Sequence, residues 1–211
     1  MCLQNCPLCH HKASLFTAIK GKDYYECSNC SGIFADQKHL PDVEQEKNRY
    51  LEHNNDVSDV RYQNFVKPIV NCILKDYTPQ HTGLDFGAGT GPVISKLLHD
   101  KEYKIEQYDP LFHHFPGLLH RSYHYIACCE VIEHFHKPDK EFSLLYNLLA
   151  NNGKLYCMTS VFKPKIDFRT WHYKDDPTHV FFYTERTFEY ICNFFKFSGL
   201  QIINNLIILS K

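Results

Sequence analysis

Four cysteines near the start of the chain form two pairs of a kind that binds metal. Two residues separate Cys6 from Cys9 and Cys27 from Cys30, and seventeen residues lie between the pairs. Four thiolates at this spacing can enclose Zn²⁺ in a tetrahedron. Because four sulfurs leave no coordination position open for water, we predict a structural zinc site. The alternative is a pair of reduced thiol turns or a redox dithiol.

A glycine-rich segment, GLDFGAGTGP over residues 83–92, could approach a ligand closely. It is typical of an apolar strand followed by a turn and the start of a helix, with Gly87 and Gly89 supplying permissive backbone. A dinucleotide fingerprint would place its third glycine at position 92, where the chain has Pro92. Asp109 follows Gly87 by twenty-two residues. A carboxylate at the end of the next strand can bind ribose hydroxyls, so an adenosine-containing ligand is predicted.

A third group of ionisable residues comprises Glu130, Glu133 and His134. One helical turn would bring these side chains near one another. They follow the segment 123–129, which has the pattern of a buried strand. The carboxyl end of such a strand is where an open α/β sheet binds ligands.

Alternating strands and helices are predicted to position these groups, and this alternation indicates an α/β fold. Residues 1–37 are predicted to form a small zinc ribbon and residues 38–80 a helical bridge. Residues 81–211 are predicted to form the main domain, in which the aromatic and basic segment 160–183 is a candidate lid. Strands are expected to end at 86 and to cover 103–108, 123–129, 154–159, 200–203 and 206–209, with helices over 92–99, 139–150 and 184–197.

The motifs LDFGAGTG at 84–91, YDP at 108–110 and YIACCEVIEHF at 125–135 together resemble class I S-adenosylmethionine-dependent methyltransferases. The resemblance covers residues 81–210. It is strongest to the branch that includes the ubiquinone-biosynthesis O-methyltransferases. It implies a Rossmann-like, seven-stranded methyltransferase sheet with helices on both faces and an antiparallel last strand, preceded here by the zinc ribbon. It also makes 81–211 the S-adenosylmethionine-binding domain.

The resemblance assigns cofactor-binding roles along the three motifs. It implies that the glycine loop surrounds the methionine part of the cofactor, that the next strand ends at the ribose, and that the adenine lies beyond it. The residues are Asp85, Gly87, Ala88 and Gly89 for the loop, Asp109 for the ribose, and Pro110, Leu111 and Cys129 for the adenine side.

The Glu-x-x-Glu-His pattern resembles one in quinone O-methyltransferases and small-RNA 2′-O-methyltransferases, where it binds a divalent metal with a later histidine. Here the set would be Glu130, Glu133, His134 and His179. Mg²⁺ or Mn²⁺ at this place could orient an acceptor and lower the pKa of its hydroxyl. Two alternatives are a general-base role for His134 or His179 without metal, and a purely structural Glu-His pair. Glu133, His134 and His179 are therefore the candidate catalytic residues.

The predicted function is methyl transfer from S-adenosylmethionine to an unidentified acceptor, with a small molecule favoured. The formal net charge of −1 shows no electrostatic footprint for nucleic acid. The alternatives are an RNA methyltransferase that uses the ribbon for recognition, a sugar C-methyltransferase, and a non-catalytic binding module.

No apolar stretch approaches the roughly 20 residues that a membrane span needs. Together with paired cysteines suited to metal, this favours a cytoplasmic protein. The sequence does not indicate an oligomeric state.

Overall fold

A computed structural model describes residues 3–52 and 55–211. Residues 1–2 of the predicted ribbon and 53–54 of the predicted bridge lie outside the described residues. The strands are β1 (Gln4–Asn5), β2 (Lys12–Ile19), β3 (Lys22–Cys27), β4 (Ile33–Ala35), β5 (Thr82–Phe86), β6 (Lys104–Tyr108), β7 (Tyr123–Cys129), β8 (Leu149–Met158), β9 (Phe181–Phe182), β10 (Gly199–Ile203) and β11 (Leu206–Ser210). The helices are α1 (Val43–Glu52), α2 (Val60–Asp76), α3 (Val93–His99), α4 (Pro138–Leu148) and α5 (Glu185–Phe194).

The larger sheet has the strand order β10-β11-β8-β7-β5-β6. Four of its strands, β5 to β8, run parallel, whereas β11 is antiparallel to both β8 and β10. Successive side chains of a strand point to opposite faces, so each face collects its own apolar cluster. On one face Ile69 of α2 and Val93 of α3 pack over Tyr125 and Tyr156. On the other face α4 and α5 pack over the alternate residues of the same strands. The α/β architecture with helices on both faces is therefore present.

The predicted count of seven strands is wrong for this sheet, which has six in the described part of the chain. The six strands expected from the sequence are all present, and β6 forms the edge. A further strand beyond β6 would need a crossover on each side, and each crossover takes a dozen or more residues. Residues 109–122 are too few for this, and they contain only a short 3₁₀ helix at Pro116–His120.

The smaller sheet has the order β1-β2-β3-β4-β9 and is antiparallel throughout. Its first four strands come from the cysteine-containing segment. The fifth, β9, lies far along the chain inside the segment 160–183, and pairs Phe181 with Phe34 and Phe182 with Ile33. The cysteine-containing segment is thus joined to the main sheet's loops by backbone hydrogen bonds.

The two helices of the predicted bridge differ in how they are held. The helix α2 begins after Asp59, whose carboxylate accepts a hydrogen bond from the Arg61 amide, and it buries Val66, Ile69, Val70 and Ile73. The helix α1 buries no residue. It therefore depends on polar contacts at its ends and along one side. Within the described residues, no helix is both long and apolar enough to cross a membrane.

Candidate active site

A cavity of about 1090 Å³ opens at the carboxyl ends of β5, β6 and β7. It extends from the glycine loop after β5 to the segment that follows β7, and α1 and residues 172–179 cover its far end. A volume of this size is at the upper end for small-molecule sites. It can hold two ligands side by side. Of the residues predicted to bind the cofactor, those that line it are Gly87, Ala88, Gly89, Asp109, Pro110, Leu111 and Cys129.

The loop after β5 depends on glycine at two positions. Gly87 and Gly89 have φ of 79° and 60°, in the left-handed region that glycine adopts without strain. A Cβ on Gly87 would lie 2.4 Å from Val131 Cγ2, so the loop also packs closely on the segment after β7. The Gly87 amide donates to the Tyr108 carbonyl at 2.8 Å. The backbone of the loop is therefore fixed against two neighbouring strands while one side of it borders the cavity.

Asp109 lies at the end of β6 and is held by backbone amides. Its Oδ2 accepts a hydrogen bond from the Gly89 amide at 3.0 Å, and its Oδ1 accepts from the amides of Leu111 at 2.8 Å and Phe112 at 3.1 Å. A carboxylate oxygen can accept more than one hydrogen bond. Asp109 can therefore orient the loop and also accept hydrogen bonds from a pair of ligand hydroxyls.

Asp85 lies beneath the glycine loop and does not line the cavity. Its Oδ2 accepts hydrogen bonds from the Ser95 hydroxyl at 2.7 Å and the Ser95 amide at 3.3 Å. Burial raises the pKa of Asp85 to about 6, although the hydrogen bonds from Ser95 act in the opposite direction. Asp85 thus joins β5 to α3 from below the loop.

The structure brings together Glu133, His134 and His179, with one potential ligand atom of each within 4.8 Å of the others. Nε2 of each histidine lies 4.0 Å from Glu133 Oε1. Nδ1 of His134 donates to the Thr178 carbonyl at 2.9 Å, and Nδ1 of His179 donates to the Tyr173 carbonyl at 2.6 Å. A neutral imidazole that donates from Nδ1 carries its lone pair on Nε2, which is the arrangement of a metal-binding histidine. Glu130 also lines the cavity but is not in this group.

Glu133 is fully buried, and its Oε2 has no hydrogen-bond partner among the described residues. Burial, with the nearby charge of Glu130, raises the pKa of Glu133 well above its ordinary value. Burial also raises the pKa of Glu130 to about 7, while hydrogen bonds with Tyr173 and Glu133 offset part of this effect. Two carboxyls are therefore held close together in a low-dielectric site, where a cation would stabilise their ionised forms.

Tyr173 belongs to the site, although the sequence indicated only an aromatic lid around it. Its hydroxyl donates to Glu133 Oε1 at 2.6 Å, and its ring contacts the His179 ring in a tilted arrangement with the centroids 4.2 Å apart. By contrast, the lid candidates Phe168 and Trp171 pack in an apolar cluster with Tyr24 of the smaller sheet. The sequence offered no period or spacing that could have separated Tyr173 from these neighbours.

The covering helix α1 also contributes residues that sequence patterns missed. The Tyr50 ring contacts the His134 ring edge to face at 5.2 Å. The Arg49 guanidinium donates to Asp176 Oδ2 from Nε at 3.0 Å and from Nη2 at 2.9 Å. Although burial raises the pKa of Asp176, the hydrogen bonds from Arg49 and Thr178 outweigh burial and hold that pKa below its usual range. These contacts close the far end of the cavity.

The four cysteines of the predicted zinc site are buried and mutually close. Their four Sγ atoms all lie within 4.8 Å of one another. The Sγ–Sγ distance is 3.3 Å between Cys9 and Cys27 and 3.6 Å between Cys6 and Cys30. A tetrahedral zinc with Zn–S bonds of about 2.3 Å has sulfurs about 3.8 Å apart. The arrangement therefore fits a four-coordinate metal with small adjustments.

The chain matches the methyltransferase-domain family over residues 43–202. The match begins at α1 and includes the glycine loop, Asp109, Glu133, His134 and His179. No curated protein sequence is significantly similar to the chain.

Several solved structures share the fold. A Nostoc punctiforme PCC 73102 protein assigned as an O-methyltransferase matches with a TM-score of 0.56 and 14% identity, over 71% of this chain and 56% of its own. Human N-acetylserotonin methyltransferase in complex with S-adenosylmethionine matches with a TM-score of 0.56 and 11% identity, over 82% and 60%. An O-methyltransferase family protein from Burkholderia thailandensis matches with a TM-score of 0.53 and 10% identity, over 82% and 64%. The chain spans less than two thirds of the length of each of these structures.

Proposed function

Because this chain belongs to the methyltransferase-domain family and is an enzyme of that class, we propose that it transfers the methyl group of S-adenosylmethionine to an oxygen of a small-molecule acceptor. One observation carries the proposal. A single cavity joins the glycine loop and Asp109 to His134 and His179, and Glu133 is buried behind these two histidines. A donor held at one end would present its methyl group to an acceptor held at the other.

The donor end is supported by the backbone and by one carboxylate. Gly87 and Gly89 let the loop approach the methionine part of the donor without side-chain interference. Asp109 is placed to accept the hydrogen bonds of the ribose hydroxyls, and Pro110 and Cys129 would border the adenine. The complex of human N-acetylserotonin methyltransferase with S-adenosylmethionine supports this choice of donor only through its similar fold.

Methyl transfer from a sulfonium is an in-line displacement. The carbon–sulfur bond breaks as the carbon–oxygen bond forms, and S-adenosylhomocysteine leaves. The acceptor hydroxyl must lose a proton, and Nε2 of His134 or His179 can accept it when that nitrogen does not bind a metal. The cover formed by Tyr50, Arg49 and Tyr173 would exclude water and hold the acceptor in line.

We also propose that Glu133, His134 and His179 bind a divalent cation, with Mg²⁺ and Mn²⁺ as the candidates. The buried, unpartnered Oε2 of Glu133 and the Nδ1 contacts of both histidines support this, because each is typical of a metal ligand. When bound, such a cation would lower the pKa of an acceptor hydroxyl. Glu130 borders the same space and could complete the set through a small movement.

The four-cysteine group is proposed to bind structural Zn²⁺, because four buried sulfurs close to tetrahedral spacing match its preferred ligands. Free thiols in such number persist in a reducing compartment, which is consistent with the predicted cytoplasmic location.

Calorimetric titration with S-adenosylmethionine and S-adenosylhomocysteine tests the donor. We expect binding of both, weakened about 10- to 100-fold by Asp109→Ala, because hydrogen bonds to a charged group contribute about 1.5–3 kcal/mol. Glu106→Ala, which removes an exposed carboxylate of the same strand, is the control and should bind normally. Absence of heat with either compound in zinc-replete protein would refute the enzyme and favour a non-catalytic binding module.

Titration with Mn²⁺ tests the divalent site separately. The wild type should bind Mn²⁺ at the cluster, and Glu133→Gln should weaken binding at least tenfold while zinc content stays constant. If methyl transfer is unchanged by added Mg²⁺ or Mn²⁺ and persists in Glu133→Gln, the metal proposal fails. A general-base role for the histidines would then remain.

A further inference from the structure

The ribbon, meaning the segment 3–37 with its four cysteines, lies behind the reaction end of the cavity, and none of its residues lines that cavity. Its fourth strand pairs with β9, and β9 comes two residues after His179. A strand of two residues has too few hydrogen bonds to hold itself in place. Its position therefore depends on what lies on either side of it.

The strand β9 is part of the segment 178–184, which we call the strap. On one side, the strap is hydrogen-bonded to the ribbon. The Ala35 amide donates to the Val180 carbonyl at 3.0 Å, next to the β4–β9 pairing. A Cβ on Gly32 would lie 2.4 Å from the Phe181 ring, so this ring packs directly on the ribbon backbone. Phe181 and Phe182 are both almost completely buried.

On its other side, the strap is bonded to the segment that carries the catalytic candidates. The Val180 amide donates to the Glu133 carbonyl at 2.9 Å, and the Tyr183 hydroxyl donates to the Ile132 carbonyl at 2.8 Å. His134 is joined to the strap through the Thr178 carbonyl. The strap thus lies between the ribbon and the Glu133–His134 turn, and His179 is part of it.

The ribbon backbone that contacts the strap is shaped by two of the cysteines. The Cys27 amide donates to the Gly32 carbonyl at 3.0 Å, and the Ser31 amide donates to the Cys27 carbonyl at 2.9 Å. Cys30, Ser31 and Gly32 lead directly into β4. Segments of fewer than about 40 residues usually need a metal or another crosslink to fold. Metal in the cysteine site would therefore fix the turn from which β4 starts.

We propose that the ribbon is a positioning element of the active site, in which metal bound by the four cysteines holds β4 against the strap and so sets the distance between His179 and Glu133. The ribbon touches no reacting atom in this role. It acts through the packed series of Gly32, Phe181 and Val180. The glycine loop and Asp109 lie on other elements, so donor binding should not depend on it.

Hydrogen exchange with mass spectrometry tests this without requiring a known acceptor. We would compare the wild type with Cys27→Ser, which removes one ribbon ligand and no ligand of the second cluster. Peptides covering 130–135 and 177–184 should lose protection at least tenfold, whereas those covering 85–91 should not. The affinity for S-adenosylhomocysteine should stay within about threefold. Retained protection at 177–184, in a Cys27→Ser variant whose ribbon has itself lost protection, would overturn the proposal.

A second variant keeps all four cysteines, in case Cys27→Ser fails to fold. Phe181→Ala should retain zinc and bind S-adenosylhomocysteine normally but lower the affinity for Mn²⁺ at the Glu133 cluster about tenfold. Phe181→Leu, which refills the apolar space, should restore most of that affinity. Leu15→Ala, at an exposed ribbon position, is the control and should behave as wild type.

Equal Mn²⁺ affinity in Phe181→Ala and the wild type would overturn the positioning role. If the wild type binds no Mn²⁺, the divalent site has failed rather than the positioning role. In that case hydrogen exchange at 130–135 in Phe181→Ala decides, with a loss of protection expected and unchanged protection contradicting the proposal. The measurement of Mn²⁺ affinity rests on the proposed function, whereas the hydrogen-exchange measurement does not.

Discussion

Glu133 is a charged residue in a place where an isolated charge is costly. It has no exposed surface, one of its oxygens has no hydrogen-bond partner in the described part of the chain, and two imidazoles and a phenol lie next to it. Burying a carboxylate without compensation costs several kcal/mol. A bound cation or a transferred proton would compensate the buried charge.

Tyr173 supports Glu133 directly, so its hydroxyl can be tested alone. We expect Tyr173→Phe to lower the affinity for Mn²⁺ about tenfold, because losing a hydrogen bond to a ligand usually costs 10- to 100-fold in metal affinity. The measurement is Mn²⁺ titration by electron paramagnetic resonance. Tyr190→Phe on α5 is the matched control. Unchanged Mn²⁺ affinity in Tyr173→Phe would show that the hydroxyl does not support the site.

The buried carboxylate of Asp85 gives a dependence of stability on pH. Its pKa is raised from an ordinary value of 3.8 to about 6 in the folded protein, so the unfolded chain releases this proton first as pH rises. Between pH 3.8 and about pH 6, the contribution of Asp85 to the free energy of unfolding therefore falls as the pH rises. Above pH 6 the folded protein bears the full cost of the buried charge.

We expect Asp85→Asn to raise the free energy of unfolding by about 2 kcal/mol at pH 7, because the amide removes the buried charge and can still accept from Ser95. The gain should shrink as the pH falls below 6 and disappear near pH 3, where the carboxyl is mostly protonated in both states. Urea unfolding at the two pH values measures it. A gain that is equal at both would mean that ionisation of Asp85 is not its cause.

At the scale of elements, binding of the methyl donor is expected to depend on the backbone conformation of the glycine loop. Gly87→Ala would place a methyl group against Val131 at a φ that costs an L-residue about 1–2 kcal/mol. We expect the dissociation constant for S-adenosylhomocysteine to rise about tenfold or more. Gly117→Ala, where no atom lies within 4 Å of the added carbon, is the control. Normal binding by Gly87→Ala would show that the loop does not need glycine here.

Sequence patterns located most elements of the main sheet because its strands alternate sharply with helices and turns. Strands β5, β6 and β7 and the final hairpin lie within a residue or two of their predicted bounds, and Thr184 caps α5 as predicted. The seventh strand was expected from the resemblance rather than from residues. Only the length of the connection between β6 and β7 could have corrected it.

The contributions of α1 and β9 could not be predicted, because both depend on long-range contacts. The helix α1 has no apolar face that points to a partner, and its role comes from single residues such as Tyr50 and Arg49. The strand β9 is a two-residue piece of an aromatic loop, and nothing local distinguishes it from its neighbours. Its partner, β4, lies about 150 residues earlier.

At the scale of the whole molecule, the cavity lies among three parts of the chain: the main sheet, the segment 172–179 that leads into the strap, and α1. Arg49 joins α1 to Asp176 across the far end of this cavity. Because α1 buries no residue, polar contacts such as this ion pair and the one between His136 and Glu46 help to hold it over the cavity.

We expect Arg49→Met to increase the dissociation rate of S-adenosylhomocysteine about tenfold, since a partly buried ion pair with two hydrogen bonds contributes more than an exposed one. Stopped-flow fluorescence or surface plasmon resonance can measure the rate. Arg61→Met, at a highly exposed arginine that pairs with Asp59, is the control. Equal rates in the two variants would show that α1 does not cover the bound product.

A crystal structure with S-adenosylhomocysteine tests the central claim most directly, because that claim is the placement of a methyl donor in this cavity. We expect the ribose hydroxyls to bond to Asp109, the homocysteine to follow the loop at Gly87 and Gly89, and the sulfur to face Glu133, His134 and His179. S-adenosylhomocysteine bound elsewhere, or bound with its sulfur turned away from these three side chains, would contradict the claim.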